Sequence, residues 1–276
     1  MDELSKFLKE DVGKGDITTD AVVFRDAKAA AEIVAGEEGV LAGIKEVAQL
    51  LDQEGIFCKT SCRDGDEIKK GSVVLEVSGS ARKILKTERL ALNILMRMSG
   101  IATHAKALSK KANPYGVTIA GTRKTTPGFR YFEKKAIKVG GGHPHRRGLD
   151  DAFLIKDNHI KVVGLKEAIG MVKKSKISKD MEVEVSNKKD ALLACRIGAD
   201  IIMLDNMDPK EIEETISELQ KKGLRSGVKI ELSGGITLEN LETYLRLRPD
   251  MISIGALTTN SKWLDMSLRI KIDKKR

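Results

Sequence analysis

The segment MEVEVSNKKDALLACRIGADIIMLDN, from Met181 to Asn206, carries the pattern that decides the fold of this chain. An apolar strand pattern, MEVEV, comes first, a helical pattern runs from Lys188 to Ile197, and a second apolar strand, IIML, follows. This succession predicts a β-α-β unit, in which two parallel strands are joined by a helix that packs across them. Each strand has a carboxylate near its end, Glu184 in the first and Asp205 after the second.

The same alternation extends over the chain after Pro114. Further helical patterns run from 164 to 174, from 209 to 222 and from 238 to 247, and the remaining apolar strands are VTIA, FLI, VKIEL and MISI. Functional groups gathered at the carboxyl ends of successive parallel strands are typical of a TIM-type barrel. A doubly wound sheet is the alternative, but no GxGxxG motif follows the first of these strands. Because only six or seven strands are visible, we expect an open, incomplete TIM-like α/β barrel.

The first 112 residues show a mixed pattern of helices and strands. The predicted helices lie at 4–9 and 43–52, and the predicted strands at 29–35, 56–62 and 72–77. A long helical pattern from 81 to 112 is expected to break at Ser99-Gly100, because both residues disfavour helix interiors. The turn formers from Asn113 to Gly116 then predict a boundary between an N-terminal domain at 1–112 and a barrel domain at 113–264.

The composition indicates a globular protein that handles anions. Of the 276 residues, 41% are hydrophobic and 32% are charged, and the formal net charge is +9. This balance suits either a nucleic-acid partner or anionic small substrates. Aromatic residues make up only 4%, and no RNA-binding aromatic motif is visible. An apolar signal segment and a membrane-length run are also missing, so we expect a cytoplasmic protein with no nucleic-acid or membrane partner.

A metal site built from cysteine and histidine is not indicated. Cys58 and Cys62 lie far along the chain from His143 and His145, and neither pair has the spacing of a zinc finger or a zinc protease. With Cys195 the cysteine count is odd, and no CxxC pair occurs. This usage suits free thiols in a reducing compartment.

The segment from Gly121 to Ile160 predicts an anion-binding site. Guanidinium groups bind carboxylates through two parallel hydrogen bonds, and lysine ammonium groups bind phosphate oxygens. Three consecutive glycines, Gly140 to Gly142, lead into His145, which indicates a backbone that needs the freedom of glycine. A solvated basic surface is the alternative interpretation. The cationic residues stand beside turn formers, and we expect them to be loop residues that converge on a ligand: Arg123, Lys124, Arg130, Arg146, Arg147 and Lys156.

Glycine turns and carboxylates at the other strand ends extend this site. Ser233-Gly234-Gly235 and Gly255-Ala256-Leu257 follow the last two strands, where barrels bind phosphate through backbone N–H groups; a tight turn alone also explains these glycines. Glu184 and Asp205 are expected to face one cavity, where carboxylates accept hydrogen bonds from sugar hydroxyls or help to hold Mg²⁺. Glu182 alternates with Glu184 and points to the same face. Pairing with a structural lysine is the alternative for either carboxylate.

Several motifs together resemble the quinolinate phosphoribosyltransferase family of type II phosphoribosyltransferases. The resemblance spans nearly the whole chain, and the RKTTPG, GGG…HR and LIKDNH group is its most specific part. It rests on EDVGKGDITTD (10–20), TERLALNILMRMSGIAT (87–103), GTRKTTPGFR (121–130), GGGHPHRRGLDDAFLIKDNHI (140–160), EVE (182–184), GADIIMLDN (198–206), ELSGGI (231–236) and ISIGALT (252–258).

The resemblance implies a fold, a reaction and an assembly. The fold is an N-terminal α/β sandwich domain, against which the C-terminal residues 265–276 pack, followed by the open barrel. The reaction is phosphoribosyl transfer from phosphoribosyl pyrophosphate to quinolinate with loss of carbon dioxide, in NAD biosynthesis, with Mg²⁺ as cofactor. The assembly is a homodimer with a shared active site, or a hexamer made of three dimers.

The resemblance also implies a role for each matching site residue. For substrate binding, Arg123, His145 and Arg146 would contact quinolinate with Thr122 nearby, and Arg89 would enter from the partner subunit. Lys124 and Lys156 would be catalytic and bracket the pyrophosphate and the reacting centre. Glu184 and Asp205 would be catalytic, meet the ribose hydroxyls and hold Mg²⁺. The 5′-phosphate would be bound by Ser233, Gly234, Gly235, Gly255, Ala256 and Leu257.

One position departs from the family pattern. Where the family commonly reads LTHS, this chain has Leu257-Thr258-Thr259-Asn260, so a phosphate-side histidine is absent at Thr259. A ModD-like molybdenum-associated relative is the alternative among enzymes, and a basic nucleic-acid-binding protein is the alternative from another class. Nicotinate could replace quinolinate as substrate, although two facing arginines favour a substrate with two carboxylates.

Overall fold

The computed structural model of the chain describes residues 3–271 and contains twelve strands and eleven α-helices within that range. The first half of the chain forms α1 (Glu3–Val12), α2 (Ile17–Val22), β1 (Lys28–Ala35), β2 (Gly39–Val40), α3 (Ile44–Gln53), β3 (Phe57–Lys59), β4 (Glu67–Ile68), β5 (Val73–Ser80), α4 (Ala81–Ala112), β6 (Thr118–Ala120) and α5 (Arg130–Val139). The second half forms β7 (Phe153–Ile155), α6 (Asp157–Val163), α7 (Leu165–Lys174), β8 (Met181–Val185), α8 (Lys188–Arg196), β9 (Ile201–Asp205), α9 (Pro209–Lys221), β10 (Lys229–Ser233), α10 (Leu241–Leu245), β11 (Met251–Ser253), α11 (Ala256–Thr259) and β12 (Met266–Lys271).

The chain forms two compact units. The first takes in the chain through Lys106, residues Lys138–Gly140 and the described residues from Ser261 onward. The second takes in Ala107–Ile137 and Gly141–Asn260. The division therefore falls within α4, ahead of the predicted boundary after residue 112, which stays a prediction. Residues 272–276 of the predicted C-terminal segment lie outside the described residues.

The first unit is built on an antiparallel sheet with strand order β12-β1-β5-β3. Strands β2 and β4 form a separate antiparallel pair. Apolar residues of the sheet, such as Ile33 and Leu75, are buried, and so are Leu50 of α3 and Leu95 of α4. The unit is thus a sheet covered by helices, as the resemblance implied.

The predicted break of the long helix at Ser99-Gly100 is wrong, because α4 runs without interruption through both residues. The Ser99 hydroxyl exchanges hydrogen bonds with the backbone of Ala42, accepting from its N–H (3.0 Å) and donating to its carbonyl (3.2 Å). At Gly100 a Cβ atom would lie 1.9 Å from the carbonyl oxygen of Lys262. Glycine is therefore required here by the close approach of another backbone segment, a cause that local sequence does not reveal.

The second unit is built on a six-stranded sheet with strand order β6-β11-β10-β9-β8-β7, in which every pair is parallel. The first strand of the series, β6, pairs with the last, β11. A series that joins its first strand to its last follows the order of a barrel, whereas a doubly wound sheet reverses its strand order. Strands β6 and β7 stand at the two edges of this order, which confirms the expected open, incomplete barrel.

Three helices of the second unit were not predicted, namely α5, α6 and α11. Arg130 begins α5, so the prediction that Arg130 is a loop residue is wrong; the buried Phe132, Ala136 and Ile137 recur at helical spacing. Helix α6 begins just after Lys156, and the His159 ring closes its first turn by accepting the Lys156 backbone N–H (2.9 Å). Among the described residues no helix combines the length and apolar character needed to cross a membrane.

Candidate functional site

A cavity of about 460 Å³ opens at the carboxyl ends of the parallel strands in the second unit. Its volume falls in the range of small-molecule sites, about 300–1,000 Å³. Eleven of the predicted site residues line this cavity: Thr122, Arg123, Lys124, His145, Arg146, Lys156, Glu184, Asp205, Ser233, Gly234 and Gly235.

The strand register explains why polar side chains meet here. Glu184 of β8 is level with Met203 of β9, and Asp205, two residues further, is level with Ser233 of β10. Residues two apart on a strand share a face, and residues level on neighbouring parallel strands share it too. The alternating positions that point inward are therefore polar at the ends of β8, β9 and β10.

Two arginines form one end of the cavity, which we call the arginine end (Arg123 and Arg146). The Nε atom of Arg123 is buried and has no hydrogen-bond partner within the described chain. Burial, and then the positive charge of Arg123, lowers the pKa of Arg146. Without a ligand, the two guanidinium groups repel each other and the buried Arg123 donor lacks a hydrogen bond. An anion with two carboxylates would reduce the repulsion and supply the missing acceptor.

Lysine and carboxylate groups line the middle of the cavity. The Lys156 ammonium group forms a 2.6 Å ion pair with Glu184, whose side chain is 13% exposed. On the next strand, the Asn206 amide donates to Asp205 Oδ2 (2.7 Å). Both carboxylates supply hard oxygen ligands of the kind that Mg²⁺ prefers, so the donor set of Glu184 and Asp205 fits this ion.

The other end of the cavity, the glycine end (Ser233, Gly234 and Gly235), is built by backbone. Gly234 and Gly235 have φ angles of 103° and 59°, a region that favours glycine. A Cβ atom on Gly234 would lie 2.2 Å from Asn206 Oδ1. The adjacent hydroxyl of Thr258 donates to the Lys124 carbonyl (2.6 Å) and thereby ties the chain after β11 to the loop after β6.

A buried cluster of His145, Glu182 and Glu231 lies next to the arginine end. His145 Nε2 is 3.2 Å from Glu231 and 3.4 Å from Glu182, and Ser253 donates a short hydrogen bond to the other Glu231 oxygen. Burial, and then the charge of Glu231, raises the pKa of Glu182 to about 8. Burial opposes the charged imidazolium, but Glu231 and Glu182 outweigh it and raise the pKa of His145.

The ligand atoms of this cluster lie within 4.8 Å of one another, but the histidine does not suit a metal. The backbone N–H of Arg146 donates to His145 Nδ1 (2.9 Å), so the proton of the neutral ring is on Nε2, facing the carboxylates. A metal ligand needs a free lone pair at that nitrogen. The cluster therefore holds a proton, and its hydrogen bonds fix the His145 ring.

The remaining predicted residues lie elsewhere. Arg89 is exposed on α4 and lines a different cavity, in the first unit, with Asp16 and Lys86. Gly255 caps the start of α11, and the side chain of Leu257 is fully buried. Gly255, Ala256 and Leu257 are not among the residues that line the cavity. Arg130 and Arg147 do not line the cavity: Arg130 bonds Thr125 Oγ1 and the Arg147 carbonyl.

Several site residues were missed by sequence reasoning. Ser253, Met203, Asn206 and Leu154 also line the cavity. Glu231 carried a usable signal, because a carboxylate inside an apolar strand such as IEL is costly unless it is paired. Ser253 carried none beyond its place at the end of β11.

An open parallel barrel whose strand ends gather cations, carboxylates and a glycine turn has the architecture of an α/β-barrel enzyme for anionic substrates. The chain matches the sequence models of the quinolinate phosphoribosyl transferase N-terminal domain over residues 16–99 and of its C-terminal domain over residues 101–269. It therefore belongs to the quinolinate phosphoribosyl transferase family.

Relatives and solved structures agree with this membership. The chain is 44% identical to the probable nicotinate-nucleotide pyrophosphorylase [carboxylating] of Methanothermobacter thermautotrophicus, over 98% of this chain and 99% of the relative. It is 39% identical to the human nicotinate-nucleotide pyrophosphorylase [carboxylating], over 79% of this chain and 76% of the relative. The crystal structure of NadC from Streptococcus pyogenes matches with a TM-score of 0.89 and 37% identity, over 98% of this chain and 96% of that one.

Proposed function

We propose that the protein transfers the phosphoribosyl group of phosphoribosyl pyrophosphate to quinolinate, with loss of carbon dioxide, to give nicotinate mononucleotide and pyrophosphate. The observation that carries this proposal is the arginine end, where a buried Arg123 donor without a partner stands beside Arg146. The names of the relatives point to the same chemistry. The reaction belongs to the synthesis of pyridine nucleotides.

In this proposal the arginine end binds the two carboxylates of quinolinate. Arg123 and Arg146 each pair with one carboxylate through their guanidinium forks. His145, fixed by Glu231 and Glu182, lies beside them and limits how the ring can turn, and the Thr122 hydroxyl borders the same space. A substrate with a single carboxylate leaves one arginine desolvated and unpaired.

The rest of the cavity binds phosphoribosyl pyrophosphate. Backbone N–H groups of Ser233, Gly234 and Gly235, together with the turn from Gly255 to Leu257, receive the 5′-phosphate. Glu184 and Asp205 accept hydrogen bonds from the ribose hydroxyls. Mg²⁺ held partly by these two carboxylates would neutralise pyrophosphate as it leaves. Thr259 supplies a hydroxyl where the family commonly has a histidine.

The chemistry follows from these positions. Pyrophosphate departure leaves positive charge on the anomeric carbon, and Lys124 and Lys156 stabilise the departing anion while the pyridine nitrogen attacks. The product ring is a pyridinium, whose cationic nitrogen stabilises the electron pair that stays on the adjacent ring carbon as carbon dioxide departs. A proton from solvent then bonds to that carbon and gives nicotinate mononucleotide. The protein then mainly positions and desolvates the carboxylate that is lost.

We further propose a cytoplasmic homodimer, or a hexamer made of three such dimers, in which Arg89 completes the site of the partner subunit. Its position on α4 of the first unit, in a different cavity, supports a role in trans. No nucleic-acid or membrane partner is proposed. Mixing Arg89→Ala and Lys156→Ala subunits tests this, since one site per mixed dimer would be intact. Random pairing should restore up to about a quarter of wild-type activity, and confirmed mixed dimers without any recovery would refute the shared site.

The reaction itself is tested by incubating the protein with quinolinate, phosphoribosyl pyrophosphate and Mg²⁺ and measuring carbon dioxide and nicotinate mononucleotide. Nicotinate is the control substrate, and we expect it to be turned over far less. Losing one ionic partner costs about 2–5 kcal/mol on the analogy of buried charge pairs. Comparable turnover of nicotinate would contradict the proposal. A steep salt-dependent affinity for DNA or RNA, not blocked by quinolinate, would favour the nucleic-acid alternative.

A further inference from the structure

Helix α5 carries two adjacent charged residues that are almost completely buried. Glu133 is 0% and Lys134 is 1% exposed. Neither lines the cavity, and neither has a role in the proposed reaction. Charged side chains are rarely buried to this degree unless hydrogen bonds satisfy them. The hydrogen-bond partners of Glu133 and Lys134 therefore indicate the role of each residue.

Lys134 holds the loop that carries His145 and Arg146. Its ammonium group donates to three consecutive backbone carbonyls, with a short bond to Pro144, a 3.4 Å contact to His145 and a 2.7 Å bond to Arg146. His145 has a φ angle of 56°, a left-handed conformation that costs about 1–2 kcal/mol for a non-glycine residue. The three carbonyls converge on one ammonium group because of this turn.

Glu133 holds the loop that carries Arg123 and Lys124. One carboxylate oxygen accepts the Thr126 backbone N–H (3.0 Å), and the other accepts the Thr126 hydroxyl (3.0 Å). Thr126 lies three residues after Arg123. One helical turn thus fixes both loops that supply the arginine end, from two neighbouring positions.

We propose that Glu133 and Lys134 are positioning residues that hold Arg123 and Arg146 at the spacing of two carboxylates on one ring. This inference rests on the proposed function. Side chains of a binding site must be held to within about 0.5 Å of the productive geometry, and loops are mobile unless they are tied down. The two neighbouring residues couple the loops through one rigid helix, so that a shift of either loop changes the gap between the arginines.

The electrostatics argue against a purely structural role for Lys134. Burial, and then the charge of Arg130, lowers its pKa to about 8, and Arg147 and Arg123 act in the same direction while Asp151 opposes them. A buried cation behind a cationic cavity is unfavourable for the free protein. A neutral donor could satisfy these carbonyls with less repulsion, whereas an ammonium group also adds positive potential where a dicarboxylate binds.

The test compares Lys134→Met with Lys138→Met, which makes the same change at an exposed position in the last turn of α5. Quinolinate affinity is measured by calorimetry without the second substrate, and the KM values of both substrates by steady-state assay. We expect Lys134→Met to raise Kd and KM for quinolinate at least about tenfold, since three acceptors lose a charged donor. KM for phosphoribosyl pyrophosphate should change less than about threefold, and Lys138→Met should match wild type.

A second variant covers the case in which Lys134→Met does not fold. Thr126→Val changes an exposed residue and removes only the hydroxyl donor to Glu133. We expect it to raise KM for quinolinate about two- to fivefold and to speed amide hydrogen exchange in residues 122–128. Glu133→Gln keeps one oxygen that accepts the Thr126 N–H but replaces the other acceptor with an amide NH2 group, so we expect it to raise KM for quinolinate no more than Thr126→Val does.

The outcomes separate the two proposals. If wild-type protein does not convert quinolinate, the proposed function fails. If wild type is active but folded Lys134→Met and Thr126→Val bind quinolinate as wild type does, the positioning role is wrong. Equal increases in KM for both substrates also overturn it, because they indicate general loosening of the unit.

Discussion

The two ends of the cavity are built in different ways. At the arginine end, long side chains reach the ligand and are held through buried partners, with Lys134 behind Arg146 and Glu133 behind the Arg123 loop. At the glycine end, the backbone itself faces the ligand, and positive φ angles at Gly234 and Gly235 shape the turn. One end depends on electrostatic partners, and the other depends on steric freedom.

This difference determines which substitutions each end tolerates. A side chain that reaches into the cavity can be removed while the fold remains, because its backbone stays in place. A glycine that turns the chain cannot accept a Cβ atom without moving its neighbours. We therefore expect substitutions at the arginine end to separate activity from stability, and substitutions at the glycine end to change both.

The largest effect is expected for Arg123→Met. The buried Nε atom of Arg123 lacks a partner, and its charge opposes that of Arg146, so its loss should leave the thermal midpoint unchanged or raised. Losing its ionic contact with substrate costs about 2–5 kcal/mol, which lowers kcat/KM for quinolinate by roughly 30- to 5,000-fold. Scanning calorimetry measures the thermal midpoint, and steady-state assays measure kcat/KM. A clear fall in the melting temperature would show that Arg123 is structural.

Lys156→Ala tests the middle of the cavity against a matched control. Removing one charged donor that stabilises a departing anion costs about 100- to 1,000-fold in kcat. The ion pair with Glu184 is 44% exposed on the lysine side, so stability should fall by less than about 1 kcal/mol. Lys161→Ala removes a similar but exposed pair with Asp157 (2.9 Å) and should leave kcat unchanged. If both variants lose activity equally, helix α6 and not Lys156 itself is responsible.

At the glycine end the sharpest test compares Gly234→Ala with Gly235→Ala. A Cβ atom on Gly234 would meet Asn206 Oδ1 at 2.2 Å and its backbone N at 2.7 Å, whereas nothing lies within 4 Å of one on Gly235. Strain of about 1–3 kcal/mol should raise KM for phosphoribosyl pyrophosphate in Gly234→Ala by roughly 5- to 150-fold, with a lower melting temperature. Gly235→Ala should show only a small stability loss. Similar KM values in both variants would mean that this turn does not bind the phosphate.

The sequence alone was sufficient to predict the barrel and most of the residues that line the cavity. Strands β7 and β8 have the predicted bounds, because a buried parallel strand is a short apolar run between turn formers. Glu184 and Asp205 could be placed in one cavity because the carboxyl ends of parallel strands converge. These inferences need only local pattern and sheet geometry.

What the sequence could not reveal depends on contacts between distant segments. Lys134 lies in a run with Lys135 and Lys138, and nothing local distinguishes the buried lysine from the exposed one; the carbonyls of residues 144–146 do so. Gly100 resembles a helix breaker until the approach of Lys262 is known. In both cases the deciding partner lies at least ten residues away, beyond the reach of periodicity.

The smallest effect concerns pH and returns to the arginine end. Lys134, with a pKa lowered to about 8, is charged below that pH and donates to three carbonyls; above it, the neutral amine has two N–H donors and a lone pair that faces an acceptor. The hydrogen bonds from Lys134 to the carbonyls of residues 144–146 should therefore weaken as pH rises from 7 to 9. Loss of one hydrogen bond is worth about 0.5–1.5 kcal/mol, so the Kd of quinolinate should rise roughly 2- to 10-fold.

The comparison must separate Lys134 from the other groups near it. The charges that act on Lys134 are those of Arg130, Asp151, Arg147 and Arg123. A backbone hydrogen bond from Arg147 lowers the pKa of Asp151, whereas Glu182 has a pKa of about 8 and would add negative charge as pH rises. We therefore compare Glu182→Gln with Glu182→Gln/Lys134→Arg, in which the guanidinium group keeps its charge. The first should bind quinolinate more weakly at pH 9 than at pH 7, and the second should change less. If the Kd of quinolinate changes equally with pH in the two proteins, the protonation of Lys134 does not control the arginine end. The arginine end would then differ from the glycine end only in using side chains to contact the ligand.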